Sequence, residues 1–426
     1  MLAMPPEAAP GTPAWLGTSA VVRRALRLIE EGVLDQDSVD ELADRLGIGP
    51  RHLHRLFVQH VGASPIVVAQ TRRLHVAKHL LDETELPITE IALAAGFGSL
   101  RRFNSAFHQT YGRAPRDLRR QGHKGTCEQD EVVLRLAFRP PYDWEQVSDF
   151  LAKRAVPGIE RVDERGYART VAAGDSHGIV CVRPVEDQDA LELRVRNTTP
   201  AALLQLTSSV RRVFDLAADP VKIALTFGSD PLLGPLVKRR PGLRISGAWD
   251  PFECCVRAIL GQLVSVSAGC TLAGRLVARF GRLISLAEDG LTRVFPTPAD
   301  LAIADLDGLG LTKARSAAIR ALARAVADGK LTFDGPTKVV TEGLSALPGV
   351  GMWTAQYVAL RALSEPDAFP SSDLVLRRMA AMGGSALSIR SIEACAEDWR
   401  PWRGYAAMHL WPQRNRCSAQ TKRGMS

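Results

Sequence analysis

The chain has 426 residues, 46% of them hydrophobic, with 54 Lys and Arg against 46 Asp and Glu and a net charge of +8. That length accommodates two or three domains, and the apolar content supports packed cores and excludes a wholly disordered chain. No apolar run approaches the ~20 residues of a membrane-spanning helix, so no membrane partner is expected. Met1 to Trp15 has neither the basic start nor the apolar core of a signal peptide, and a cytoplasmic location is expected.

Residues 1–16 read as a tail. Residues 17–121 read as almost all helix, beginning with an amphipathic stretch from Val21 to Ile29. Two segments then resemble each other at a spacing of about fifty residues. The first runs from Leu42 through Gly47-Ile48-Gly49 into Arg51-His52-Leu53-His54-Arg55-Leu56-Phe57 and ends Gly62-Ala63-Ser64-Pro65. The second runs from Ile91 through Gly96-Phe97-Gly98 into Arg101-Arg102-Phe103-Asn104-Ser105-Ala106-Phe107 and ends Gly112-Arg113-Ala114-Pro115. A long helix from Pro65 to Asp82 joins them. Each unit has the helix, turn, helix layout of a helix-turn-helix. Leu53, Leu56 and Phe57 fall on one face and are expected in the core, as are Phe103 and Phe107. Arg51, His52, Arg55, Arg101, Arg102 and Asn104 are then free to face outward, and Arg and Asn are the side chains that read guanine and adenine edges in the major groove. The alternative, a helical bundle with a solvated basic face, explains one such unit better than a matched pair. The excess positive charge suits the same polyanionic partner.

Residues 122–131 form a polar linker. From 132 to 234 the pattern changes to a small α+β domain, with strands at Val132–Ala137, Tyr167–Ala172, Gly178–Val185 and Leu191–Val195 and helices at Glu145–Arg154 and Ala201–Asp215. Residues 235–413 return to helix, at Phe252–Leu260, Thr271–Phe280, Lys313–Asp328, Val340–Ser345 and Trp353–Leu363, with another starting near Asp373. Residues 414–426 form a basic tail. The predicted fold class is therefore mainly α with a small α+β domain. The seven cysteines, Cys127, Cys181, Cys254, Cys255, Cys270, Cys395 and Cys417, contain no C-x-x-C pair. That argues against a zinc or iron–sulfur cage, and most are expected as small buried hydrophobes.

The strongest local motif is Leu347-Pro348-Gly349-Val350-Gly351, joining two helices. Gly349 and Gly351 let backbone N–H groups approach a phosphate, and the following helix, with Thr354 in its first turn, presents its positive end. Such a hairpin grips a DNA backbone without reading sequence. An ordinary helical hairpin is the alternative. Asp373 lies twenty-two residues beyond Gly351. It suits a helix cap, and a fixed carboxylate in a dry site also stabilises the oxocarbenium character that a sugar gains as its glycosidic bond breaks.

These residues carry three resemblances. Leu16 to Arg120 resembles the AraC-type double helix-turn-helix attached to bacterial adaptive-response regulators of alkylation damage. The hairpin with its downstream aspartate resembles the helix-hairpin-helix base-excision glycosylases. Leu134 to Trp411, through Arg240-Pro241-Gly242-Leu243-Arg244, Arg257 to Val266 and Trp399 to Trp411, is similar to the bacterial inducible 3-methyladenine DNA glycosylase. The resemblance implies that Asp373 is the catalytic carboxylate, Leu263 a wedge with Gln262 beside it, and Trp353, Tyr357 and Trp411 the lining of a base pocket. Extruding a base costs a few kcal/mol, so a wedge and a backbone grip are both needed. A cationic alkylated purine over aromatic faces gains ~0.5–2 kcal/mol. Relatives that cut the strand carry a lysine where this chain has Trp353, and some carry a four-cysteine iron–sulfur loop that is missing, so a monofunctional enzyme using water is implied. No cofactor is required, although the family hairpin also implies a monovalent cation on the backbone carbonyls of Ser345, Leu347 and Val350.

Duplex DNA, at damaged sites and at promoters, is the expected partner, with RNA polymerase a further one and the nucleoid the expected location. Fusions of this kind usually begin with a four-cysteine zinc domain that accepts methyl groups, and no cysteine precedes Cys127. The damage sensor is expected to be absent or lost from an upstream start. The rival readings are a transcription regulator with an inactive glycosylase half, and a bifunctional glycosylase/lyase.

Overall fold

The computed structural model describes residues 20–30, 32–84, 86–119, 131–173 and 176–411. The N-terminal tail, all of the linker except Glu131, and the basic C-terminal tail lie outside these residues, as do Cys127 and Cys417.

The first unit is helical, as its periodicity predicts. After the Ala20–Glu30 helix and the short Val33–Gln36 turn come Val39–Leu46 and Pro50–Val61, then Pro65–Glu83, then Ile88–Ala94 and Leu100–Tyr111, closed by Pro115–Leu118. Ser38 caps the third of these in a capping box with Glu41, and Ser64 and Ser99 cap Pro65–Glu83 and Leu100–Tyr111 through their side-chain oxygens. Those caps satisfy backbone donors that a helix start leaves orphaned. Leu53 and Phe57, and Phe103 and Phe107, are fully buried; Leu56 is half-buried against the same core as Leu53 and Phe57. The two halves join different cores. Leu53 and Phe57 share a cluster with the N-terminal helix, whereas Phe103 and Phe107 are continuous with a cluster that includes Leu134, Val180 and Leu193.

That second cluster covers one face of an antiparallel sheet in the order β1-β5-β4-β3-β2, where β1 is Glu131–Ala137, β2 Glu160–Asp163, β3 Gly166–Ala173, β4 Ser176–Pro184 and β5 Ala190–Arg196. Side chains alternate between faces. Tyr167 and Val180 enter the larger core, while Ala168 and Ile179 pack the opposite face with Ile284, Leu291 and Val294. The last three belong to a segment that includes a small hairpin, β6 (Leu283–Glu288) and β7 (Leu291–Arg293), inside a region read as mostly helix. Its signal was available, because Asp289 and Gly290 both adopt positive φ, +48° and +84°, as an Asp-Gly hairpin turn requires.

The helices of the α+β region are Trp144–Ala152, Pro200–Val213, Pro220–Phe227 and Leu233–Arg239. The remainder are Pro251–Leu260, Val266–Phe280, Pro298–Ala302, Lys313–Ala327, Thr337–Ser345, Met352–Arg361, Leu374–Ala380, Ile389–Ala396 and Arg403–Leu410. They enclose the largest core. A buried quartet fastens this bundle to the sheet. Arg169 on β3 bonds Glu160 at 3.0 Å and Glu253 at 2.5 Å, and Arg257 bonds Glu160 at 3.0 Å and Glu253 at 2.9 Å.

Of the five cysteines described, only Cys254 and Cys255 are buried; Cys181 and Cys270 are half-buried and Cys395 is exposed. The expectation of mostly buried cysteines therefore holds only for the adjacent pair, which lies on the inner face of a core helix. Burial pushes the Cys254 thiol up to about 11. Among the described residues, no helix is long and apolar enough to cross a membrane, and no group of three or more His, Cys, Asp and Glu is placed to hold a metal.

Candidate active site

The hairpin joins Thr337–Ser345 to Met352–Arg361. Gly349 has φ +77°, and a Cβ there would lie 2.9 Å from Cβ of Ala318. Backbone and neighbour both demand glycine at this position. Gly351 caps the second helix in extended geometry, is exposed, and has nothing within 4 Å of where its Cβ would project, so the space beyond it is open. Thr354, expected on the backbone grip, turns its side chain inward. It is buried, and its hydroxyl accepts from Gln262 Nε2 at 3.2 Å.

Asp373 is the N-cap of Leu374–Ala380. Its Oδ1 accepts from the N–H groups of Val375 at 2.8 Å and Leu376 at 3.0 Å, and its Oδ2 accepts from the Trp353 indole Nε1 at 2.8 Å. Two backbone dipoles and an indole N–H thus fix the carboxylate. Trp353 and Tyr357, one helical turn apart, stack with centroids 5.1 Å apart at 12°, and Trp411 meets Tyr357 edge-on at 6.4 Å. All four side chains are half-buried. The structure therefore brings together Asp373 and the three expected aromatics, with one carboxylate at the edge of an aromatic wall.

The sequence reading missed what stands behind Tyr357. Arg361 is buried, and its Nη1 donates to Tyr357 Oη at 2.5 Å while its Nη2 donates to the Gly247 carbonyl at 2.9 Å. Its guanidinium lies 4.6 Å from the Phe150 ring centroid, and that of Arg154 lies 3.8 Å from the same ring. Burial draws Arg154 below its ordinary pKa; Tyr357 opposes this and Arg361 adds to it. The signal for Arg361 was its position four residues after Tyr357, on the same helix face.

Leu263 lies on the loop between Pro251–Leu260 and Val266–Phe280, fully exposed and with φ +56°. Gln262 Nε2 donates to the Gly349 carbonyl at 2.9 Å as well as to Thr354, so the wedge loop and the hairpin touch. The carbonyl of Leu347 accepts from Val350 N–H at 3.1 Å, and the buried Ser345 hydroxyl has no partner among the described residues. Arg51, His52 and Arg55 are exposed on Pro50–Val61, with Arg55 Nη2 2.8 Å from His52 Nδ1. Arg101, Arg102 and Asn104 are exposed on Leu100–Tyr111. Among the described residues, the hydrogen bonds and ring contacts that join Asp373, Trp353, Tyr357 and Trp411 involve neither of these two helices.

Residues 133–250 match the AlkA N-terminal domain, and residues 42–121 match a helix-turn-helix domain. The chain is 40% identical over 412 residues to a probable bifunctional transcriptional activator/DNA repair enzyme AlkA of Mycobacterium tuberculosis, covering 95% of this chain and 83% of that protein. It is 36% identical over 282 residues to DNA-3-methyladenine glycosylase 2 of Escherichia coli, covering 65% of this chain and 95% of that protein. Its fold is shared with a 3-methyladenine DNA-glycosylase structure from Archaeoglobus fulgidus, at 22% identity and a TM-score of 0.58 over 65% of this chain and 96% of that one. The chain belongs to the AlkA family of DNA repair glycosylases, in the form that carries an AraC-type helix-turn-helix domain.

Proposed function

We propose that this chain hydrolyses the N-glycosidic bond of alkylated purines, 3-methyladenine and 7-methylguanine, in duplex DNA, and that Asp373 is the catalytic carboxylate. The observation that carries the proposal is the hydrogen bond from Trp353 to Asp373, which sets a fixed anion at the edge of a stacked aromatic pair. The aromatic faces of Trp353, Tyr357 and Trp411 attract the cationic base. That base is already a good leaving group, so no strong general acid is needed. As its bond to C1′ breaks, the sugar gains positive charge beside the Asp373 carboxylate, and water adds to C1′. Trp353 offers no amine for a covalent step, which makes the enzyme monofunctional.

Leu263 fills the stack where the nucleotide leaves, while Gly349, Gly351 and the backbone N–H groups of their helix grip the phosphate. The carbonyls of Ser345, Leu347 and Val350, with the unpartnered Ser345 hydroxyl, suit a monovalent cation that would add positive charge under that phosphate. Residues 17–121 act as a sequence-reading module, through Arg51, His52, Arg55, Arg101, Arg102 and Asn104, at promoters where RNA polymerase is a further partner. Residues 132–234 and 235–413 form the two parts of the glycosylase, and the protein works at the nucleoid.

The test is release of the two bases from methylated duplex by wild type and by Asp373→Asn. Asparagine keeps the helix cap but removes the charge. Loss of release in the variant supports the assignment; equal release sinks it. Borohydride trapping of an enzyme–DNA adduct would support a lyase instead.

A further inference from the structure

Of the seven non-glycine residues with positive φ among the described residues, five are Asp, Asn or Ser and two are apolar, Leu263 and Met382. A leucine in that conformation with its side chain wholly in solvent is doubly unfavourable, and such a residue persists only where its surroundings hold it. Two side chains hold this loop. The guanidinium of Arg315 donates through Nη2 to the carbonyl of Gln262, the residue before Leu263. The Gln262 amide in turn donates to the Gly349 carbonyl at 2.9 Å and the Thr354 hydroxyl at 3.2 Å.

Arg315 is itself anchored. Its backbone N–H donates to the Thr312 hydroxyl at 3.3 Å, in the capped first turn of Lys313–Ala327. Three residues later, on the same helix face, Ala318 is the side chain that a Cβ at Gly349 would meet at 2.9 Å. One helix therefore touches the wedge loop through Arg315 and the hairpin through Ala318, and Gln262 closes the triangle.

We propose that Arg315 is a positioning residue that locks the Leu263 loop to the Gly349 hairpin, so that the wedge and the phosphate grip act as one rigid unit during base extrusion. The inference rests on the wedge reading of Leu263 given above. It also changes the role of Gln262, whose amide is committed to the hairpin and acts as a strut within the protein.

The experiment compares full-length wild type, Leu263→Ala, Arg315→Ala, Arg315→Lys and the Leu263→Ala/Arg315→Ala pair in single-turnover excision of 7-methylguanine. Two duplexes are used, one with the lesion paired to cytosine and one with it opposite an abasic site, where the stack is already broken. Arg315→Ala is expected to slow excision about tenfold in the paired duplex and less than about threefold opposite the abasic site. Arg315→Lys, which keeps a donor, is expected to recover part of the loss. The double variant is expected to match Leu263→Ala alone, because the strut has no purpose without the wedge. Equal losses on both duplexes, or additive losses in the pair together with a shallower salt dependence of binding, would make Arg315 a plain phosphate contact and overturn the inference. A silent Leu263→Ala would overturn the wedge reading itself. If Leu263→Ala slows excision and Arg315→Ala does not, the Arg315 inference alone fails. Thermal unfolding of each variant separates these outcomes from misfolding.

Discussion

Trp353 and Asp373 meet across 2.8 Å, indole N–H to carboxylate oxygen, although twenty residues separate them in the chain. The tryptophan therefore does two things at once, offering a ring face toward Tyr357 and a hydrogen bond that holds the carboxylate. Trp353→Phe keeps most of the aromatic face and removes the donor. A hydrogen bond to a charged group contributes ~1.5–3 kcal/mol, so the single-turnover excision rate is expected to fall roughly ten- to hundredfold. An unchanged rate would mean that the helix cap alone positions Asp373.

The two hairpin glycines are expected to behave differently. Gly349→Ala places a Cβ against Ala318 and holds alanine at φ +77°. The left-handed conformation alone costs ~1–2 kcal/mol, and denaturant unfolding should show at least that loss. Gly351→Ala meets no protein atom within 4 Å and keeps negative φ. Its stability should stay within about 1 kcal/mol of wild type while its affinity for duplex DNA, read by fluorescence anisotropy, drops. If affinity is untouched, the phosphate does not sit at Gly351.

Arg169 is nearly fully buried and bonds both Glu160 and Glu253. Arg169→Leu leaves two carboxylates facing Arg257 alone and is expected to destabilise the protein by ~3–5 kcal/mol in urea. Arg169→Leu/Glu253→Leu leaves one arginine with one glutamate, so the pair should be milder than the single variant. A double variant as damaged as the sum of its singles would show that the quartet is not one coupled unit.

Two half-buried groups give opposite pH dependence over the same range. Burial raises the Asp215 carboxyl to about 6 from its ordinary 3.8, against the pull of Arg244 and the hydrogen bond from Tyr405. The folded chain keeps that proton after the unfolded chain has lost it, so stability falls as pH rises from about 3.8 to about 6. Burial, with Arg240 adding to it, lowers His409 to about 4 from 6.5, so stability falls as pH drops from about 6.5 to about 4. Each effect is on the order of 3 kcal/mol at full extent. Relative to wild type, Asp215→Asn should gain stability as pH rises through this window, and His409→Gln should lose it. Parallel profiles for all three, measured by thermal unfolding, would contradict the assignment.

The sequence by itself determined the two helix-turn-helix repeats, the α+β segment, the hairpin and the aspartate beyond it. Each of these is written locally, in glycine spacing, in the alternation of apolar residues, or in a Ser-Ser-Asp run that starts a helix. It also supplied the role expected for Leu263, but only through resemblance, because nothing local marks an exposed leucine as held in place. The tertiary structure alone decided that Thr354 faces inward, that Arg361 backs Tyr357, and that Phe103 and Phe107 share a core with the sheet while Leu53 and Phe57 do not. The contact of Asp373 with Trp353 and that of Arg315 with Gln262 were decided there too. Hydrogen bonds between residues 20 and 53 positions apart depend on how helices pack, and packing is set by the whole core. No local pattern of residue types carries that information.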